Sequence, residues 1–356
     1  MKKSLLALAI IGAFCGAASA QSSVTLYGSF DGGVRQVNNT DINGNSKTSI
    51  GSPGTFNSNR WGLKGKEDLG AGMDAHFVLE SGFNTGTGAL AGDLFGRSSY
   101  VGIGGTWGAV DIGRQYTVAF KTIGMYDPFN YKYTGIASAV GATNGVRNNN
   151  DIQYTGTFSG LTVRAGHALG EVAGSSSANS KTALGLGYVN GPISVGGAYG
   201  VNNGNPTATA AIAATPGNVG AAAIPATGDG KHYTLGAAYT FGAARVAVGF
   251  AELKTKTTTI DRTQKDAWVG ASYNITPVAA LTAAYYDTKF SGPTAATPTT
   301  TGDNGKKQVS MIGATYNLSK RTNFYADIDR TRFGGAKILG KLDSATGVSV
   351  GINHLF

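Results

Sequence analysis

The sequence predicts an all-β protein, a transmembrane antiparallel β-barrel of sixteen strands. Three observations lead to this fold class. Apolar and polar residues alternate with a period of two in sixteen separate segments, which is typical of strands with one apolar and one polar face. The connections between these segments alternate between short and long. Beyond the N-terminal region, no stretch approaches the ~18 continuous apolar residues that a membrane helix needs.

The first three segments show the alternation most clearly. Segment 24–35 separates Val24, Leu26, Phe30 and Val34 from Thr25, Tyr27, Ser29, Asp31 and Arg35. Segment 60–66 opposes Trp61 and Leu63 to Arg60, Lys64 and Lys66, and segment 73–80 opposes Met73, Ala75, Phe77 and Leu79 to Asp74, His76 and Glu80. The other predicted strands are 96–104, 108–115, 151–157, 161–168, 182–189, 193–200, 231–240, 245–253, 266–275, 279–287, 308–318, 322–332 and 346–356.

The connections fit an up-and-down barrel in a bilayer, which has short turns on the inner side and long loops outside. The short connections include 159–160, 190–192, 241–244, 276–277 and 319–321. The long ones are 37–58, 170–181, 201–230, 254–265, 288–307 and 333–345. Because an open sheet edge is not tolerated in lipid, the strands must close on themselves. Sixteen strands leave an aqueous lumen, and one domain is the simplest organisation.

One segment interrupts the pattern. The sequence DIGRQYTVAFKTIGMYDPFNYKYTG, residues 111–135, begins as a strand and becomes irregular, and the next clear strand starts near Ile152. This irregular segment carries five aromatic residues: Phe120, Tyr126, Phe129, Tyr131 and Tyr133. We expect these rings to pack against the inner wall of the barrel, since a solvated loop would not carry so much aromatic surface.

The two ends of the chain indicate export to a membrane. Residues 1–20 have a basic start, a short apolar core and the small-residue site Ala18-Ser19-Ala20, as in a cleaved secretory signal peptide. The barrel domain is then 21–356, which contains no cysteine and has a formal charge of 27 − 20 = +7. The final segment places Val348, Val350, Ile352, His354 and Phe356 on one face. We expect the terminal Phe356 to face lipid at the membrane boundary, and a C-terminal Phe after an alternating segment resembles the insertion signal of outer-membrane barrels.

Several motifs resemble the general porins of Gram-negative outer membranes, and the β-proteobacterial type in particular. They are TLYGSFDGGV (25–34), NRWGLKGKEDLGAGMDAHFVLE (59–80), GRSSYVGIGG (96–105), GAVDIGRQY (108–116), YDPF (126–129), RNNNDIQYTG (147–156), LSKRTNFYAD (318–327) and VGINHLF (350–356). The resemblance covers essentially the whole mature chain in order. The long loops at 201–230 and 288–307 match nothing specific.

The resemblance implies a trimeric barrel whose third external loop folds inward and narrows the pore, with basic residues on the facing wall. Carried over by motif, the wall arginines are Arg60, Arg114 and Arg147, and Lys64 shares the face of Arg60. Lys121 and Asp127 of the inward loop complete the predicted constriction. Simple alternation places Arg114 with Val110 and Ile112. We expect it to face the lumen, either because Gly113 hosts a bulge or because Val110 and Ile112 face a neighbouring subunit or the lumen.

The charge of the loop predicts ion selectivity. Between Gln115 and Asn150, Asp127 is the only carboxylate, whereas Lys121, Lys132 and Arg147 give a balance of +3 − 1 = +2. Fixed positive charge in a narrow lumen favours anions. We therefore expect a passive channel for small hydrophilic solutes and ions, with a modest preference for anions.

The remaining expectations concern partners and chemistry. A homotrimer in contact with outer-membrane lipid and lipopolysaccharide is expected, and the absence of dense Lys/Arg runs argues against nucleic acid. The four scattered histidines show no metal-ligand spacing, so no cofactor, metal or enzymatic activity is expected. Two alternatives stay open: a channel specific for phosphate, nucleosides or oligosaccharides, and an adhesin or receptor that binds through its surface loops.

Overall fold

The computed structural model describes residues 23–41, 43–205, 228–256, 261–292, 305–335 and 343–356. The predicted signal peptide lies outside the described residues, as does most of the two long loops at 201–230 and 288–307. The described part folds into strands with one short helix, α1 (Val118–Ile123), followed by 3-10 turns at Gly124–Tyr126 and Ser138–Thr143.

The strands are β1 (Ser23–Val37), β2 (Lys47–Ile50), β3 (Arg60–Gly70), β4 (Met73–Gly82), β5 (Ser98–Gly105), β6 (Gly108–Tyr116), β7 (Arg147–Phe158), β8 (Leu161–Ala168), β9 (Lys181–Asn190), β10 (Ile193–Asn202), β11 (Gly230–Phe241), β12 (Ala244–Thr255), β13 (Arg262–Thr276), β14 (Ala279–Ser291), β15 (Gly305–Asn317), β16 (Thr322–Gly335) and β17 (Ser344–Leu355). Each strand from β3 onward pairs antiparallel with the next.

The sheet closes through β1, which pairs antiparallel with β17 along Ser29–Val37. On its other side, β1 pairs with β3 along Ser23–Ser29 and with β2 along Val34–Val37. The strands β2 and β3 therefore lie end to end and occupy one position between β1 and β4. The result is a closed antiparallel barrel with sixteen strand positions, and the predicted fold class is confirmed.

The sequence did not predict β2, which lies inside the expected loop 37–58. Between β2 and β3, residues 51–59 leave the barrel wall, and we call them the inserted segment. Their side chains turn inward, because Thr55, Phe56, Asn57 and Asn59 are all buried. Pro53 and Gly54 break the strand at this point, and Gly54 adopts a positive φ of 100°.

The two faces of the strands follow the predicted alternation. In β1 the apolar side chains Val24, Leu26, Phe30 and Val34 are exposed on the outside, while Ser29 and Asp31 are completely buried inside. The last strand likewise exposes Val348, Val350 and Ile352, and the terminal Phe356 is also exposed. No helix among the described residues is long and apolar enough to cross a membrane.

Candidate functional site: the barrel lumen

The irregular segment between β6 and β7, residues 117–146, forms what we call the inward loop. It starts with α1, whose first turn is capped by Thr117, since the Thr117 hydroxyl accepts a hydrogen bond from the Phe120 amide at 3.1 Å. The buried face of α1 carries Val118, Ala119, Thr122 and Ile123. The segment is therefore structured and not a solvated connection.

Side chains from the inner wall hold the inward loop by its backbone carbonyls. The Trp268 indole Nε1–H donates to the Tyr126 carbonyl at 2.8 Å, and the His232 Nε2 lies 2.7 Å from the Ala142 carbonyl. Arg245 also bonds to the Met125 carbonyl. All three side chains face the barrel interior, so the loop lies inside the barrel against β11–β13.

The wall behind the loop is lined by glycines that make room for it. A Cβ at Gly236 would lie 2.5 Å from the Tyr126 ring, and one at Gly270 would lie 2.5 Å from the Pro128 ring. Contacts this short are excluded for real Cβ atoms. The high glycine content of the chain thus has a local function here, because it lets the Tyr126–Pro128 stretch approach the wall.

The five aromatic residues of the loop fall into two groups. Tyr126, Phe129 and Tyr133 are buried in the main apolar cluster of the barrel interior. Phe120 and Tyr131 are partly buried and stack in a column with Tyr116, with ring centroids 4.5 Å and 4.2 Å apart. These rings fill one side of the lumen with apolar surface.

Asp127 is fully buried, which differs from the expectation that its carboxylate contributes charge to the constriction. The Tyr286 hydroxyl donates to its Oδ1 at 2.7 Å, and the Tyr131 amide donates to its Oδ2 at 2.7 Å. Burial raises the pKa of this carboxyl to about 6, against the lowering effect of the hydrogen bonds. Asp127 therefore anchors the loop to β14.

The opposite wall carries the predicted Arg60, which faces the interior beside Glu80. Its guanidinium Nε lies 3.6 Å from Glu80 Oε2, and Arg97 Nε donates to Glu80 Oε1 at 2.7 Å. The Tyr27 hydroxyl also donates to Glu80, at 3.1 Å. One carboxylate is thus shared by two arginines, so this part of the wall keeps a net positive charge.

Arg147 extends the same cluster toward the inward loop. Its guanidinium stacks over the Tyr116 ring, 4.4 Å from the centroid, and its Nη2 donates to the Tyr116 hydroxyl at 2.8 Å. Arg97 donates to the same hydroxyl at 2.8 Å. Tyr116 therefore links Arg97 and Arg147 and holds both guanidinium groups at the root of the loop.

Lys64 and Lys66 continue the basic wall along β3, on the same face as Arg60. The Lys64 ammonium lies 5.4 Å from the centroid of the Tyr27 ring. The Lys66 ammonium lies 2.9 Å from Asp74, and His76 bridges Asp74 and Asp111 at 2.9 Å and 2.8 Å. We call Arg60, Lys64, Lys66, Arg97 and Arg147 the basic wall.

Two lysines of the inward loop add positive charge next to this wall. Lys121 donates to the Gln115 side chain at 2.9 Å, and Lys132 lies 5.3 Å from the Phe56 ring centroid. The pKa of each ammonium is lowered to about 8, mainly by burial and, for Lys132, also by the charge of Arg60. Both lysines therefore lose their charge at mildly alkaline pH.

Arg114 lies apart from the basic wall. Its strand β6 pairs regularly with β5, and Arg114 opposite Ser99 shares the outward alternation of the exposed Ile112. A β-bulge was expected at Gly113, but the extra residue lies on β7. Gly113 pairs with Asp151 and Gln115 pairs with Asn148, so β7 has one more residue than β6 between these two pairs. The described hydrogen bonds of Arg114 go to the Gly96 carbonyl at 2.6 Å and to the Asn149 side chain.

The inserted segment connects the two sides of the lumen. Asp31 Oδ2 accepts hydrogen bonds from the amides of Phe56 and Asn57 at 2.7 Å and 2.6 Å, and the Tyr325 hydroxyl donates to its Oδ1 at 2.6 Å. The Tyr133 amide of the inward loop donates to the Phe56 carbonyl at 2.7 Å. The inserted segment and the inward loop are therefore bonded to each other inside the barrel.

Sequence reasoning missed Arg97 and the inserted segment. The alternation did place Tyr27 and Glu80 on the polar face, and that signal could have identified them as lumen residues. Arg97 gave no such signal, because alternation within the predicted strand 96–104 places it on the same face as Val101 and Ile103. Among the described residues, no group of three or more His, Cys, Asp and Glu side chains is arranged to hold a metal ion.

Comparison with known proteins connects this lumen to a family. The profile described as Gram-negative porin matches residues 7–336. The chain belongs to the Gram-negative porin family. It is similar to an outer membrane porin protein of Bordetella pertussis and to outer membrane porin protein 32 of Delftia acidovorans, each 33% identical with full coverage of both chains.

A solved structure supports the same assignment. The anion-selective porin from Comamonas acidovorans is 28% identical to this chain, with a TM-score of 0.75 and coverage of 94% of this chain and 100% of that one. This porin is thus an outer-membrane protein of a Gram-negative bacterium. Its sixteen-stranded barrel forms a channel for the diffusion of small hydrophilic solutes.

Proposed function

We propose that this porin prefers anions, and that the basic wall and the inward loop together form its constriction. The observation that carries this proposal is the burial of Asp127, the single carboxylate of the loop, together with the five basic side chains of the basic wall. Because fixed charge sets the potential inside a narrow lumen, anions are favoured there. The relative from Comamonas acidovorans, described as anion-selective, supports this assignment.

The test is the reversal potential of single channels in planar bilayers under a KCl gradient. We expect a potential of the sign that indicates chloride preference. Arg60→Gln and Lys64→Gln should each reduce it, whereas Lys320→Gln, in the turn between β15 and β16, should leave it within error. Cation preference in the unmodified protein would overturn the proposal.

We propose that this porin does not transport sugars specifically. Tyr126 and Tyr133 are fully buried against the wall and offer no stacking surface to a solute in the lumen. Inhibition of the conductance by micromolar oligosaccharide, nucleoside or phosphate would favour a substrate-specific channel instead.

The other alternative is a surface receptor. Deletion of residues 206–227 should leave conductance unchanged if the main activity is that of a pore and not of a surface receptor.

We also propose that the protein is a homotrimer without enzymatic activity, and that Phe356 serves as the insertion signal. The exposed position of Phe356 beside Gly28, to whose carbonyl its amide donates at 3.2 Å, supports the last point. Light scattering of the detergent-solubilised protein measures the oligomeric state. Assembly of a Phe356→Ala variant in outer-membrane vesicles measures the insertion role, and normal assembly would contradict it.

A further inference from the structure

The charged end of Arg60 needs more than its strand to hold it in place. The strand register fixes only the backbone of Arg60, which pairs with Ser29 of β1 and Gly82 of β4. An arginine side chain rotates about several bonds, so its guanidinium has a defined position only where contacts hold it. The Arg60 side chain is 25% exposed. Ions in the lumen can therefore reach it, and its position matters to them.

The inserted segment supplies two hydrogen-bond acceptors to this guanidinium. Arg60 Nη1 donates to Asn57 Oδ1 at 3.2 Å and to the Ser58 carbonyl at 3.0 Å. The contact with the Glu80 carboxylate is longer, at 3.6 Å from Nε to Oε2. The amide and the carbonyl are both neutral. They therefore hold the guanidinium without cancelling its positive charge.

Asn57 is itself fixed by bonds from its backbone and its side chain. Its amide N–H donates to Asp31 Oδ2 at 2.6 Å, and its Nδ2 donates to Ser29 Oγ at 2.8 Å. Asn57 is only 5% exposed, and Ser29 is completely buried. A buried side-chain amide whose oxygen and nitrogen both have partners keeps one orientation.

The hydrogen bonds continue from Ser29 to the last two strands of the barrel. Ser29 Oγ donates to Asn353 Oδ1 on β17 at 2.9 Å. Asn353 Nδ2 in turn donates to Asn323 Oδ1 on β16 at 3.1 Å. A row of side chains thus leads from the place where the barrel closes to Arg60 in the lumen.

This row has a single direction of proton donation. A guanidinium only donates hydrogen bonds, so the Asn57 side chain must turn its oxygen to Arg60 and its nitrogen to Ser29. The Ser29 hydroxyl then gives its one proton to Asn353. Bonds in such a row polarise and strengthen one another. Loss of one member therefore weakens the hold on Arg60 even when that member does not contact Arg60.

We propose that Asn57 is a positioning residue for ion preference, because it holds the Arg60 guanidinium at a fixed place in the lumen. Ser29 and Asn353 support Asn57 from the seam between the first and last strands. Without Asn57, the guanidinium loses a neutral acceptor and moves toward the Glu80 carboxylate, whose charge opposes its own. This inference rests on the proposed function, since Arg60 must contribute to anion preference for its position to matter.

The experiment is a double-mutant cycle read out as the reversal potential of single channels under a KCl gradient. Its members are the unmodified protein, Asn57→Ala, Arg60→Gln and the double variant. We expect Asn57→Ala to shift the potential in the same direction as Arg60→Gln but by less, because the positive charge is displaced and not removed. In the Arg60→Gln background, Asn57→Ala should cause no further shift. Equal shifts in the two backgrounds would overturn the proposal.

Asn59→Ala is the matched control in the same segment. Asn59 is 1% exposed, its Oδ1 accepts from the Asp31 amide at 2.6 Å, and its Nδ2 donates to the Ser52 carbonyl at 3.0 Å. These bonds do not involve Arg60. We expect Asn59→Ala to lower the denaturant concentration of unfolding, as Asn57→Ala does, and to leave the reversal potential within error. Equal shifts of the potential in both variants would assign the effect to packing of the whole inserted segment and overturn the role of Asn57.

Ser29→Ala carries the test if Asn57→Ala does not assemble, because it removes one hydroxyl and leaves Asn57 and Arg60 in the chain. It should produce a smaller shift in the same direction, which disappears in the Arg60→Gln background. A shift in Arg60→Gln with none in Asn57→Ala or Ser29→Ala would overturn the positioning role alone. No shift in Arg60→Gln would overturn the proposed role of Arg60 and this inference with it.

Discussion

The two walls of the lumen carry different kinds of side chain at their inward-facing positions. On β11–β14 these positions carry glycines and hydrogen-bonding aromatic side chains, and the inward loop packs against them. On β3–β5 and the start of β7 they carry the basic wall, with Glu80 shared between Arg60 and Arg97. Packing and charge are thus assigned to opposite sides. We therefore expect that the size of the pore and its ion preference can be altered independently.

The largest effect is expected from a substitution that fills the space between the inward loop and the wall behind it. Gly236→Leu places a branched side chain where even a Cβ atom would lie 2.5 Å from the Tyr126 ring. We expect the loop to leave the wall, so that single-channel conductance rises severalfold and the free energy of unfolding falls by several kcal/mol, more than the ~1–3 kcal/mol of ordinary overpacking. Gly32→Leu is the matched control, since nothing lies within 4 Å of the position that its Cβ would take. Unchanged conductance in Gly236→Leu would refute the role of this wall.

A smaller effect is expected from the loop anchor. Tyr286→Phe removes the hydroxyl that donates to the buried Asp127 carboxylate at 2.7 Å. Because a hydrogen bond to a charged group contributes about 1.5–3 kcal/mol, chemical unfolding should occur at a correspondingly lower denaturant concentration and current noise should increase.

The control for this anchor is Tyr285→Phe, the neighbouring residue whose hydroxyl lies on the outer face and bonds with Gln308. It should leave both current noise and unfolding nearly unchanged. If the two variants behave alike, Asp127 is not the anchor of the loop.

Two substitutions at the basic wall should shift the reversal potential in opposite directions. Arg97→Gln leaves Glu80 with less compensation, so the reversal potential should shift toward cations. Glu80→Gln frees Arg60 and Arg97, so it should shift the potential further toward anions. Conductance should change less than about twofold in both variants, because the hydrogen bonds described for Arg97 and Glu80 go to wall residues and not to residues 117–146 of the inward loop. Shifts of the same sign in both variants would contradict an electrostatic origin.

The smallest expected effect is that of pH. Burial lowers the pKa of Lys121 and of Lys132 to about 8. A lysine is charged below its pKa and neutral above it, so anion preference should decline between about pH 7 and pH 9. Reversal potentials measured across this range test the decline. The double variant Lys121→Met/Lys132→Met should start with a lower preference and show a flatter profile, and an equally steep profile would assign the change to other groups.

Alternation and turn spacing were sufficient to predict the barrel, because each strand has one lipid face and one lumen face and a shift by one residue would exchange them. The same signal placed Arg60, Lys64 and Glu80 on the interior. It failed at the inserted segment, since residues 51–59 are held by Asp31 and Tyr133, which are distant in sequence. Alternation also failed to predict the burial of Asp127. The sequence shows that the loop has one carboxylate, but it does not show that Tyr286, 159 residues away, bonds to this carboxylate inside the barrel.

Arg114 shows the limit of carrying a position over by motif. The GRQY motif is present, and an irregularity does occur next to it, but the extra residue is on β7. Arg97, which lies in the GRSSYVGIGG motif but was not carried over as a wall arginine, occupies the interior position beside Glu80. The motifs therefore predicted that arginines line this part of the interior, but they did not predict which arginines these are.

The cluster around Asp31 has a consequence for the order in which the protein folds. It joins residues 31, 56, 133 and 325, so its contacts depend on strands from both ends of the chain. Contacts between such distant segments form late, because each requires closure of a long chain loop. The rings of Phe56 and Tyr133 can pack on Tyr325 only when the first and last strands have met. The packing that holds the inserted segment and the inward loop inside the barrel is therefore completed only when the barrel closes.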